Sequence, residues 1–111
     1  MWKRFDIKNY KVTLFRELSQ GQSAIISCYG SQPIKEAFTI FFYPSEVDRP
    51  ENSTLMNGDE IKGRIHIRAE QYAWYLDLLR NEGPVYAFVS DTIPNSNQIT
   101  TDLEPVGEGD I

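Results

Sequence analysis

One cysteine and one histidine are all the thiol and imidazole that these 111 residues supply. An internal disulfide is therefore excluded, and a zinc or iron site would lack the further ligands it requires. Thiol–imidazole catalysis would have to use the single pair Cys28 and His66. Long apolar runs are missing too. No window approaches the roughly 18 residues that span a bilayer, and the opening Trp2-Lys3-Arg4-Phe5-Asp6 is too charged for the apolar stretch of a secretion signal. The expectation is a reducing, cytoplasmic setting without membrane association.

Positive charge is likewise in deficit. Eleven Lys and Arg against sixteen Asp and Glu leave a net charge of −5, which repels polyphosphate at long range and disfavours avid nonspecific nucleic-acid binding. The glycines of Gly107-Glu108-Gly109 have no helix after them to hold a phosphate. The acids Glu46, Asp48, Glu51, Asp59 and Glu60 do not have the spacing of a calcium loop, and no carboxylate pair is set for hydrolysis. No cofactor or metal is expected, and no catalytic motif is present.

What is present is ordinary globular content, 41% hydrophobic and 13% aromatic, in a chain long enough to bury a core unaided. Residues 69–81 carry the one long helical pattern, with Tyr72, Ala73, Leu76 and Leu79 on one stripe, Gly83 as a C-terminal cap and Pro84 as the stop. Before it, period-two alternation marks strands over residues 10–18, 23–29, 36–43 and 61–68, with a shorter extended piece at residues 5–7. After it, residues 85–89 and 98–103 alternate again. Residues 44–59 form a long loop, inside which Asn57-Gly58 favours a tight hairpin turn between residues 54–56 and 60–62. The third strand is the most hydrophobic and belongs at the centre.

The predicted fold is α+β and β-rich: a six-stranded antiparallel curved sheet or small barrel with one helix, in the order βββ-loop-βαββ. Residues 1–103 make one globular domain and residues 104–111 an acidic tail that frays. The segment Leu78-Leu79-Arg80-Asn81-Glu82, the following Pro84-Val85-Tyr86 and the ending Glu104-Pro105-Val106-Gly107-Glu108-Gly109 resemble a group of small, functionally uncharacterised bacterial proteins. The resemblance covers about a quarter of the chain and implies a bacterial cytoplasmic origin.

Three features compete as sites. Lys62, Arg64, His66 and Arg68 alternate with Ile61, Gly63, Ile65 and Ile67, so four donor-bearing side chains line one face of a strand and suit phosphate, carboxylate or an acidic protein. The bland alternative is a solvated face whose cations pair with Glu17 or Asp102 across the sheet. Trp74 projects away from the helix's apolar stripe and, if exposed, marks a protein interface or homodimer. Phe41, Tyr43, Tyr86 and Phe88 either stack against a ligand or form a second buried face, and burial is the expected outcome. Cys28 shares its face with Ala24 and Ile26 and reads as a small buried hydrophobe. The expectation is a noncatalytic binding or interaction module, self-associating or engaging a protein. The alternative is a nucleic-acid or anion binder using residues 62–68.

Overall fold

Alternation of apolar and polar residues commits most of this chain to strands whose two faces meet different surroundings. The computed structural model describes residues 1–19 and 21–101, with only the backbone of residues 17–19. Among them are β1 (Trp2–Asp6), β2 (Asn9–Ser19), β3 (Gln22–Tyr29), β4 (Glu36–Tyr43), β5 (Ser53–Asn57), β6 (Glu60–Arg68), β7 (Val85–Ser90) and β8 (Gln98–Thr101). One α-helix, α1 (Tyr72–Asn81), follows a 3₁₀ turn at Ala69–Gln71. The acidic tail and the end of the last predicted strand lie outside the described residues.

The strands form two open sheets, of order β1-β7-β8 and β2-β3-β4-β6-β5, rather than one six-stranded sheet or a barrel. Two observations explain the correction. First, the short opening segment is a full strand that pairs antiparallel with distant β7 and not with β2. The switch occurs within two residues, since the Ile7 amide donates to the Val85 carbonyl at 2.9 Å and the Lys8 amide to that of Tyr29 at 2.8 Å. Second, β4 and β6 run parallel, so the large sheet is mixed and not wholly antiparallel. Residues 44–59 make that crossover possible by carrying β5, which turns at Asn57-Gly58 and pairs with β6 as a hairpin. Gly58 has φ +65° there, the left-handed backbone such turns need. The antiparallel β2-β3-β4 meander and the central place of β4 agree with the sequence reading.

The core lies between the sheets. Ile26, Cys28, Phe38, Ile40 and Phe42 from the large sheet, with Ala87 and Val89 from the small one, are fully buried. Each of the larger side chains contributes about 2 kcal/mol by leaving water. Gly63 lets the sheets come close, since a Cβ there would meet Phe38 Cδ2 and Val89 Cγ2 at 3.2 Å. Asn97, 6% exposed, joins the sheets by polar contacts. Its Oδ1 accepts from the Ser90 amide at 2.8 Å, and its Nδ2 donates to the Ser53 carbonyl at 3.2 Å and to Thr54 Oγ1 at 2.8 Å.

Helix α1 rests on the same inner side. Tyr72, Tyr75, Leu76 and Leu79 pack against the core, and the Phe42 ring meets those of Tyr72 and Tyr75 edge-on at 5.2 and 6.0 Å. Tyr75 thus takes the place expected of Ala73, which is exposed. The i, i+3, i+4, i+7 set centres the apolar arc on the larger rings. Gly83 is not the expected left-handed cap. Glu82 ends the helix in extended conformation with its amide on the Leu78 carbonyl at 3.1 Å.

Candidate binding face on the open sheet

Register places three rows of side chains on the outer face of the five-stranded sheet. The middle row reads Lys11, Ser27, Thr39, Arg64, Ser53, from β2 to β5. One neighbouring row reads Thr13, Ile25, Phe41, His66, and the other Asn9, Tyr29, Ala37, Lys62, Leu55. These three rows hold no Asp or Glu; the next row out sets Asn57 opposite Glu60, whose carboxylate lies 3.6 Å from Lys62. The small sheet and α1 both pack on the inner face; the outer one meets the crossover segment at its Tyr43 and Arg68 end and is otherwise open. Lys11 and Arg64 stand three strands apart, roughly 14 Å at ordinary strand spacing.

The four residues of the stripe have different surroundings. Arg68 is drawn into structural work: its Nη1 donates to the carbonyls of Pro44 at 3.0 Å and Val47 at 2.8 Å, which holds the crossover segment against the sheet. Lys62 lies 3.6 Å from Glu60. His66 stacks on Phe41 with ring centroids 4.8 Å apart and planes 15° from parallel. Its Nδ1 lies 2.8 Å from the Tyr43 hydroxyl. Burial lowers the imidazole pKa, helped by the nearby charge of Arg64, and burial raises that of Tyr43. Both directions favour a neutral ring hydrogen-bonded to a neutral phenol. The peptide of His66 is held as well, its amide donating to Asn52 Oδ1 at 2.7 Å and its carbonyl accepting from Arg49 Nη1 at 3.4 Å. Arg64 alone of the four is exposed and has no hydrogen bond or ion pair among the described residues. Asp102 and the Glu17 side chain, the acids expected to pair with the stripe, lie outside the described residues.

Aromatic burial is only partly as expected. Tyr43 is buried, whereas Phe41, Tyr86 and Phe88 are half-buried, because the outer faces that carry them have no covering layer. Tyr86 is capped by the Arg4 guanidinium 4.8 Å above its ring.

Trp74 is 72% exposed and sits on α1, across the sheet from the stripe. With Gln71, Tyr75, Leu78 and Ile99 it lines a shallow groove of about 350 Å³. Trp74 and the basic stripe are thus separate surfaces. Cys28 is fully buried on the inner face, and desolvation pushes its thiol up to about 12, while His66 lies on the outer face; the two cannot act together. Among the described residues no three His, Cys, Asp or Glu side chains gather as a metal site, and no helix is long and apolar enough to cross a membrane.

Lys11, Ser27 and Thr39 escaped the sequence reading as members of this face. Their strands could be recognised, but the register that lines them up with Arg64 is a tertiary property. Asn52 lies in the long loop over residues 44–59 and Asn97 between the last two predicted strands, and nothing in the sequence marks either side chain as a structural link. Compared with family models, curated proteins and solved structures, the chain matches none.

Proposed function

We propose that this chain is a noncatalytic interaction module that presents the outer face of its five-stranded sheet to an acidic protein surface. The observation that carries the reading is Arg64: exposed, unpaired among the described residues, and in one row with Lys11 on a face whose three rows hold no carboxylate. On a chain of net charge −5, that local reversal of sign gives charge complementarity for an acidic partner. Ile25, Phe41 and Leu55 add the apolar surface that protein contacts use beside charge. The hydroxyls of Ser27 and Thr39 between the two cations suit carboxylate and carbonyl acceptors.

The Phe41–His66 stack beside Arg64 favours a second reading, a single-stranded nucleic acid whose bases stack on the face. The overall negative charge and the engagement of Arg68 and Lys62 weigh against it. The single buried cysteine and the resemblance of residues 78–86 and 104–109 to small bacterial proteins support a bacterial cytoplasmic setting.

Fluorescence anisotropy with a labelled polyglutamate peptide and a labelled oligothymidylate, in a salt series, tests the reading. Polyglutamate is expected to bind, to weaken as salt rises, and to lose at least about tenfold in affinity with Arg64→Glu. Tighter binding of the oligothymidylate transfers the face to nucleic acid. No binding of either probe at low salt, or binding indifferent to Arg64→Glu, overturns the assignment of this face.

A further inference from the structure

The inner face of the five-stranded sheet runs out past its cover at one edge. Tyr10, Val12 and Leu14 of β2 stand opposite Cys28, Ile26 and Ala24 of β3, which are 0%, 0% and 5% exposed. They therefore share the core face, yet Leu14 is 69% exposed and Tyr10 37%. Tyr10 borders a pocket that it shares with Leu79 of α1 and Val85 of β7 and is partly covered, whereas Leu14 stands open. The strand itself is the edge of its sheet, paired with β3 on one side and with no described strand on the other. Its backbone donors and acceptors on that side are a template for another strand.

The opposite edge is managed differently. There β5 is five residues long, its inward Met56 packs on the core, and its backbone carbonyl at Ser53 takes a bond from Asn97. On β2 the edge is blunted only in part: Lys11 faces outward and a register irregularity follows Leu14, while the segment 9–14 contains no proline and no inward-facing charge.

We infer that β2 pairs with β2 of a second copy of this chain, antiparallel about a two-fold axis at Val12. The sequence of the edge is self-complementary in that register. With Val12 facing Val12, Tyr10 of each copy stands opposite Leu14 of the other, so both exposed inward side chains are covered twice over. On the outer face Lys11 meets Thr13 and Asn9 meets Phe15, and the like-charged Lys8 and Arg16 are opposed only at the two ends of the paired segment. Centring on Tyr10 would set Leu14 against Asp6 and Val12 against Lys8. Centring on Lys11 would oppose two lysines, centring on Thr13 would leave Tyr10 against Arg16, and centring on Leu14 would place Val12 against Arg16. The Val12 register is the one that matches apolar with apolar at all three inward positions, Tyr10, Val12 and Leu14, and leaves its like-charge pair at the ends.

Pairing in this way joins two five-stranded sheets into one of ten strands. The outer faces become continuous, with the two Lys11 rows meeting at the seam and an Arg64 on either side. A long acidic segment crossing the seam would meet both copies. The dimer rests on the exposed edge and not on any ligand, so its test is independent of what the outer face binds.

Light scattering over a range of protein concentrations, at low and moderate salt, measures the mass against the 12.8 kDa monomer. The expected result is twice that mass for the parent chain, retained in Trp74→Ala and reduced to the monomer in Leu14→Lys with the parent's far-ultraviolet circular dichroism, since Leu14 contributes little to the monomer core and only the dimer's share of Tm is lost. As a check on register, Val12→Cys under mild oxidation is expected to form a covalent dimer through its two-fold mate, while buried Cys28 stays unreactive. A parent chain that is monomeric throughout overturns the inference. So does a dimer that survives Leu14→Lys, or one abolished by Trp74→Ala. Failure of Val12→Cys to cross-link in a chain that is dimeric overturns the register.

Discussion

His66 shows how far one side chain's surroundings can differ from what its neighbours in sequence suggest. Between Lys62, Arg64 and Arg68 it reads as one more donor in a basic row, but it is instead a neutral ring stacked on Phe41 and bonded to Tyr43. Its pKa is held below the usual value by burial first and by Arg64 second. As pH falls, the unfolded chain takes up this proton before the folded one. The residue's contribution is therefore full above its unfolded pKa of about 6.5 and is lost progressively as pH drops towards the depressed folded value. The expected outcome is a Tm that falls between about pH 7.5 and about pH 5.5, with a smaller fall in His66→Gln. Thermal melts of the two proteins across that range make the comparison. An equal fall in both would place the pH sensitivity elsewhere.

At the scale of elements, Arg68 is the residue whose role changed most between sequence and structure. Expected at the end of a ligand-binding stripe, it anchors the crossover between β4 and β6 by two bonds to the carbonyls of Pro44 and Val47. A long connection with little apolar content has few other means of fixing its path. Arg68→Ala is expected to cost about 1–2 kcal/mol, since bonds from a charged donor are worth more than neutral ones. Faster amide exchange confined to residues 44–52 would check it, and exchange that rises equally in all strands would count against a local role. The crossover could be seen in the sequence as a long loop. Its anchor could not, because an arginine that donates to carbonyls and one that waits for a ligand occupy the same position in a period-two pattern. The helix was easier to read: its stripe was right at Tyr72, Leu76 and Leu79, and wrong at Ala73 because the inner sheet offered the Phe42 ring to Tyr75.

For the molecule as a whole, the two sheets share one core and should unfold together. Gly63 is the point at which that dependence is sharpest, because Phe38 and Val89, one from each sheet, close on its backbone at about the same distance. Gly63→Ala must push the sheets apart by a few tenths of an ångström or displace both side chains. The expected cost is about 1–3 kcal/mol, read as a lower urea midpoint with far-ultraviolet circular dichroism and tryptophan fluorescence still coincident. Separate transitions by the two probes would mean that the sheets are independent units. The division of charge belongs to this scale too. On a chain of net charge −5, the outer face of the five-stranded sheet carries Lys11 and Arg64 in one row, both exposed.

By itself the sequence determined where strands form, which of their residues share a face, the hairpin at Asn57-Gly58, the single helix and the burial of Cys28. These follow from local rules: side-chain period, turn chemistry and the length of apolar runs. Only the tertiary structure decided that β1 joins β7, that β4 and β6 run parallel, that there are two sheets, and that Arg64 stands free while Arg68 does not. The physical reason is that strands exchange the same backbone hydrogen bonds with any partner. A period-two pattern records that one face is buried without recording what buries it, and the choice falls to packing between segments far apart in the chain.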